Sequence, residues 1–430
     1  MLYILTILVM IIIMISQYKK YKYILAAPVV YPLMWILSLL GLVGTNSFFP
    51  VSMATMLVII SGYALFCAGF TKGSKGYKKD FPVSQQCYER LNPLGLNISF
   101  YLAIAVGIVY MVLIRRYIPY SSAQAMLLSL IGNKASNVVV IPGYISILAG
   151  FVRVITNIFL LYYFRNYNVR NGDKCWQALS LRNKCIVLFA ISTIILFTNF
   201  SRNGLLNYLL PIAFIFIISR KISTSKIVLG GTIFMGAFVA VFAWFSFFRD
   251  SYLYSGNNYG EVFSNQFSLY LSGGVVAFDQ AVQTELSWIS SETLNHTFSL
   301  FASITDTLFG TSFTPEVVLN SIQIGPNLTT NVYTVYYWYA LDLGIIFSIL
   351  VQFVLGFMYG HFYKRASWGS FRATYWYSVL SYPLIMMYFA DQYASIGQTW
   401  FTRIISYIVI ATICGVSRFK LGALNSSDCF

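Results

Sequence analysis

"CIVLFAISTIILFTNFSRNGLLNYLLPIAFIFII" (residues 185–218) is an apolar run of 34 residues with one charge in it, Arg202. One membrane crossing takes about 20 residues, so the run is too long for a single helix and barely enough for two. No acidic residue lies within ten positions of Arg202 on either side. Asn199, Asn203 and Gly204 supply the turn chemistry that would let the chain reverse there. The stretch therefore reads as two short spans joined by a tight turn, with Arg202 at its outer tip. If so, the rest of the chain should resolve into spans as well.

It does. Of 430 residues, 58% are hydrophobic and 10% charged, with a mean hydropathy of +0.70. Soluble domains carry about 25% charged residues, so this composition belongs to a polytopic membrane protein. Apolar windows of membrane length predict about eleven helices, near 1–16, 23–44, 51–70, 97–118, 142–164, 185–200, 204–219, 227–248, 336–362, 375–390 and 401–416. The first, sixth and seventh are short, which gives a range of ten to twelve. The opening "MLYILTILVMIIIMIS" has no basic n-region and no small-residue cleavage site, so it reads as a retained span. The organisation is then eight spans over 1–248, a large outer loop with amphipathic helices over 249–335, and three spans with a short tail over 336–430.

Charge orients the bundle. Of 28 basic residues, 21 fall on one alternating set of connections, from Lys19, Lys20 and Lys22 to Arg418 and Lys420. The positive-inside rule makes that side cytoplasmic, with the N-terminus outside and the C-terminus inside. The net charge of +15 is thus a topology signal and calls for no nucleic acid. The other seven are Arg115, Arg116, Arg153, Arg202, Arg249, Arg403 and Lys134. A preference for arginine away from the inner side points to gripping phosphate or carboxylate, which the planar guanidinium does with two donors at once. All six cysteines map to the cytoplasmic half, so no disulfide framework is implied.

The segment 249–335 holds seven acidic residues, Asp279, Glu285 and Asp306 among them. "EVFSNQFSLYL" (261–271) and "VVAFDQAVQTELSWI" (275–289) read as amphipathic helices separated by a break at Ser272–Gly274, lying in the interface or capping the bundle. The return, "NVYTVYYWYALDLG" (331–344), is dense in rings. It is either an aromatic belt or, through Tyr333, Tyr337 and Trp338, a platform for sugar faces. Asp342 lies inside the predicted span, where an ionisable side chain is functional or paired. Pro211 and Pro383 are candidates to kink their spans.

The chemistry is bounded by what the chain lacks. It has no D-x-D pair, no H-E-x-x-H, no phosphate-binding glycine loop and two histidines, His296 and His361. A multi-histidine metal site is nearly excluded, and neither metal nor cofactor is expected. What remains is arginines and carboxylates converging on the outer face. That set suits an anionic lipid-linked substrate whose phosphate is the leaving group. Arginines would stabilise the developing pyrophosphate charge, and a carboxylate or His296 would deprotonate an attacking hydroxyl.

Three blocks, "SRNGLLNYLLPI" (201–212), "FSLYLSGGVVAFDQAV" (267–282) and "NVYTVYYWYALDLGIIFS" (331–348), resemble in their order the Wzy-type oligosaccharide repeat-unit (O-antigen) polymerases. The resemblance covers about residues 185–350. It implies a GT-C-like helical bundle in the bacterial inner membrane and a metal-independent glycosyltransferase. Such an enzyme moves a growing glycan from undecaprenyl pyrophosphate to the non-reducing end of a lipid-linked repeat unit. Its partners would be these donor and acceptor lipids, membrane lipids and a chain-length regulator. Arg202 matches the family arginine, and Asp279 and Asp342 match acidic positions.

The candidate base is one of Asp279, Asp342, Asp391 and His296. The candidate pyrophosphate ligands are Arg202, Arg249, Arg153, Arg116 and Arg403. Arg115 and Arg116 diverge by about 100° on a helix, so at most one of them faces a site. Arg153, close to mid-membrane, either pairs with a carboxylate such as Asp342 or lines the headgroup cavity. Two other functions use the same features, an O-antigen ligase and a lipid-linked oligosaccharide flippase. A flippase has less need of the long outer loop, and the chain shows no internal repeat.

Overall fold

A computed structural model describes residues 1–43, 47–77, 91–117, 143–166, 175–199, 202–220, 222–233, 236, 239–240, 259–290, 294–310, 312, 320–326 and 328–416. The chain is helical, and the described residues include seven helices long and apolar enough to cross a membrane. It divides into two compact units, residues 1–86 with 201–400 and residues 87–200 with 401–430.

The first unit contains α1 (Leu2–Tyr21), α2 (Ala27–Leu42), α3 (Met53–Gly73) and α7 (Arg202–Arg220). It continues with α8 (Tyr259–Thr284), α9 (Ser299–Phe309), a hairpin of β1 (Ile322–Gly325) and β2 (Leu328–Thr330), α10 (Val335–Leu343), α11 (Ile345–Ser367), α12 (Phe371–Val379) and α13 (Ser381–Met386). The stretch 224–233 is also helical. The second unit has α4 (Pro93–Tyr117), α5 (Gly143–Asn166), α6 (Cys175–Asn199) and residues 401–413 of α14 (Gly397–Ile413).

The most extensive helix pairing joins α3 to α11. Its cause is two G-x-x-x-G spacings, Gly69 with Gly73 and Gly356 with Gly360, facing each other. A Cβ on Gly69 would overlap the carbonyl of Phe353, and one on Gly356 the carbonyl of Phe66. Only hydrogen at these positions lets the two backbones touch, and between apolar helices close packing is the main attraction. In the second unit, polar pairs tie the helices together. Tyr110 bonds Thr198 (2.8 Å) between α4 and α6, and Thr156 bonds Ser192 (2.7 Å) between α5 and α6.

Several spans differ from the sequence reading. The opening run does form a helix, and the run 185–218 does divide at its middle, with α6 ending at Asn199 and α7 starting at Arg202. Arg202 is therefore the first residue of a helix, and the two residues between the helices lie outside the described residues. The span expected over 336–362 is two helices, because Gly344 adopts φ +88° and ends α10. A side chain there would also press on the carbonyl of Trp288, 2.7 Å from an added Cβ. The span expected over 375–390 is likewise two short helices. Pro383 cannot donate to the carbonyl of Val379, the last residue of α12, and its ring crowds that carbonyl. The next carbonyl, Leu380, accepts both the Leu384 N–H (3.2 Å) and the Tyr359 hydroxyl (2.6 Å).

The Ser272–Gly274 break does not occur, and α8 runs through it. The small residues serve approach: Ser272 Oγ donates to the Ser38 carbonyl of α2 (2.8 Å), and Gly274 faces the backbone of Phe389. In the second of the two amphipathic stretches, Val275 to Phe278 and Ala281 are buried in the core of the first unit and do not lie at an interface. Pro211 lies within an unbroken α7. The span expected over 227–248 extends beyond the described residues.

Candidate functional site

The nine-residue helix α10 organises the site. Its consecutive side chains reach different walls. Tyr336 bonds Tyr31 on α2 (2.9 Å), Tyr337 donates to Glu285 (3.1 Å), and Tyr339 donates to Asp391 (3.0 Å). Trp338 Nε1 donates to the carbonyl of His296 (2.5 Å). A helix with aromatic residues on every face must be enclosed on every face, and residues 335–340 are all buried. This corrects both readings of the aromatic run. Tyr333, Tyr337 and Trp338 form neither an exposed belt nor an open platform. Tyr333 and Tyr337 stack on each other at 3.9 Å, and the Trp338 ring lies edge-on to His296.

Beside Trp338, Asp342 and His296 meet. Asp342 is fully buried, and its Oδ1 lies 2.9 Å from His296 Nδ1. The same carboxylate accepts from the backbone N–H groups of His296 (3.1 Å) and Thr297 (2.7 Å). Burial by itself would raise the Asp342 pKa. The bonds from the His296 ring and from the His296 and Thr297 backbone N–H groups more than offset it, and the group is held below its ordinary value. An ionised carboxylate can only accept, so Nδ1 of the neutral imidazole carries the hydrogen and Nε2 keeps its lone pair. The His296 side chain is 24% exposed. Asp342 also does not lie inside a membrane-length helix as expected, because the break at Gly344 places it just before the candidate span formed by α11. Backbone bonds brace the junction: Ile345 N–H donates to Ser287 (3.0 Å) and Ile346 N–H to Trp288 (3.2 Å).

The other candidate carboxylates sit in closed settings. Asp279 is fully buried on α8, where Oδ1 accepts from the Ser52 N–H (2.9 Å) and hydroxyl (2.5 Å), and Oδ2 from Gln283 (2.5 Å). Ser52 is the N-cap of α3, so Asp279 ties α8 to the start of that helix. Asp391 folds its own loop, accepting from the N–H groups of Tyr393 (3.2 Å) and Ser395 (2.6 Å) as well as from Tyr339. Burial raises its pKa in spite of these bonds.

The arginines fall in both units. Arg202 starts α7, and its guanidinium lies outside the described part of the chain, as does the whole of Arg249. In the second unit, Arg115 and Arg116 are exposed at the end of α4, while Arg153 on α5 and Arg403 on α14 are half-buried. The carboxylate considered as a partner for Arg153, Asp342, is engaged by His296 and Thr297.

The His296–Asp342 pair spans 46 residues of sequence, with no local motif to announce it. Thr297 and the Trp338–His296 bond were not anticipated either. Comparison with protein-family models, curated proteins and solved structures returns no match for this chain.

Proposed function

We propose that this multi-pass membrane protein is a surface-polysaccharide polymerase of the Wzy type. It would transfer a growing glycan from undecaprenyl pyrophosphate to the non-reducing end of a lipid-linked repeat unit, at the periplasmic face of the bacterial inner membrane. The observation that carries this reading is the His296–Asp342 pair at the start of a span. A histidine oriented by a buried carboxylate is suited to accept a proton from an attacking hydroxyl. In the proposed step, the acceptor hydroxyl oxygen bonds to the anomeric carbon of the donor and its proton passes to His296 Nε2. The bond from that carbon to the pyrophosphate oxygen breaks, and the electron pair leaves with undecaprenyl pyrophosphate.

Arginine is the residue for the developing charge on that leaving group, and Arg202 is the first choice from the sequence blocks. The charge asymmetry of the connections supports an outer N-terminus and an inner C-terminus, with 249–335 in the periplasm. Ten to twelve spans in a GT-C-like bundle and association with a chain-length regulator belong to the same proposal. Asp279 and Asp391 now fit positioning roles better than the role of base.

A second reading is favoured by the same histidine. An O-antigen ligase uses an outer-loop histidine near its reaction centre on the same donor. Deleting the gene separates the two. The polymerase reading expects the surface-polysaccharide ladder to collapse to a single repeat on the lipid core. Complete loss of capped core would instead point to the ligase or to a flippase, and an unchanged ladder would refute the polymerase and the ligase alike.

A further inference from the structure

The helix α9 carries a face that no other described part of the protein covers. Phe301, Ile304 and Leu308 recur at i, i+3 and i+7, which places them on one side of the helix. All three are exposed, Leu308 by 70%. The opposite side is fixed to the protein, with Ser299 Oγ donating to the Ala394 carbonyl (2.7 Å) and Ala302 buried. Helix α9 follows directly on His296 and Thr297.

What covers this face can be read from its surroundings. Exposed Trp288 and Ile289 lie at the backbone junction with Ile345 and Ile346, where the span α11 begins. From there the exposed residues Ile346, Leu350 and Val354, four apart, continue down α11 as an apolar stripe. The apolar surface thus passes from a membrane span, over its end, to the segment that carries α9. A patch of this kind on a membrane protein, at the end of a span, fits a bilayer surface.

We propose that α9, with Trp288 and Ile289, is an interfacial helix that buries its apolar face in the outer edge of the bilayer and holds the His296–Asp342 pair at the membrane boundary. A reactive group so placed meets the headgroup of a lipid-linked substrate without drawing its tail out of the membrane. The proposal rests on the multi-pass reading and stands whether or not the chain transfers glycans.

The test attaches an environment-sensitive fluorophore to single added cysteines in the full-length protein, reconstituted in phosphatidylethanolamine–phosphatidylglycerol vesicles. The variants are Phe301→Cys, Ile304→Cys, Leu308→Cys and, on an exposed polar position of α8, Thr284→Cys. The identically treated parent protein supplies the background from native cysteines. Each side chain to be replaced on α9 is exposed, and gel-filtration elution checks that each variant folds. Spin-labelled lipids are expected to quench positions 301, 304 and 308 severalfold more than position 284, and aqueous iodide to show the reverse. Iodide quenching at the three positions equal to that at 284 would overturn the proposal. So would protection from both quenchers, which would mean that protein covers the face.

Discussion

At the scale of single residues, Asp342 shows both what a sequence discloses and where it stops. An acidic residue in an apolar stretch signals a partner or a task, and that much was legible. The partner was not, because His296 is 46 positions away in a loop without a recognisable motif. Asp279 illustrates the opposite case. In the sequence it reads as a solvated position or a candidate base on a loop helix, yet its bonds go to Ser52, 227 positions away, and no spacing rule reaches that far. The environment of Asp342 makes a pH prediction. A carboxyl held below its ordinary pKa of about 3.9 stabilises the fold above that pH, and the contribution is lost as pH falls through the lower folded value. Asp342→Asn also leaves buried donors poorly matched, at a cost of about 1–3 kcal/mol. Thermal unfolding in detergent should therefore show the variant less stable than wild type from pH 6 to 8, with the gap narrowing below about pH 4. A gap that stays constant down to pH 3 would show that the carboxylate charge contributes nothing.

At the scale of elements, apolar length located most spans and missed what interrupts them. The windows could not see that Gly344 and Pro383 end helices, because hydropathy runs on through both. They also took Ser272–Gly274 for a break, whereas small residues inside a packed bundle serve helix contact as readily as helix termination. The Gly69/Gly73 and Gly356/Gly360 spacings drew no attention among the apolar windows, yet they fix the largest helix pairing in the first unit. Gly356→Ala places a methyl against the Phe66 carbonyl and should destabilise the protein by about 1–3 kcal/mol through overpacking. Gly150→Ala, where an added Cβ meets nothing within 4 Å, should be neutral or stabilising by up to about 1 kcal/mol through helix propensity. Melting temperatures of the two variants in the same detergent give the comparison, and equal values would refute the close-contact account.

At the scale of the whole molecule, composition alone disclosed a multi-pass helical membrane protein, and the seven candidate spans agree with it. The division into two units was not legible, because the second unit draws on two separated stretches of chain. Nor was the enclosure of α10, since an aromatic-rich segment before a span has the same composition whether it faces headgroups or a core. Orientation rests on the distribution of Lys and Arg. A reporter active only in the periplasm, fused near residue 290, should be active, and one fused near residue 222 should be silent. The reverse pattern would put the His296–Asp342 pair on the wrong side for the proposed reaction.

The most direct test of the central claim uses purified protein in lipid vesicles, supplied with undecaprenyl-pyrophosphate-linked repeat units. Gel analysis of the glycan should show wild type extending it into a ladder. His296→Ala, with unaltered melting temperature, should lose at least about 100-fold in rate, the scale of a general base. A ladder formed at the wild-type rate by His296→Ala would contradict the assignment of the base, and no extension by wild type would contradict the polymerase itself.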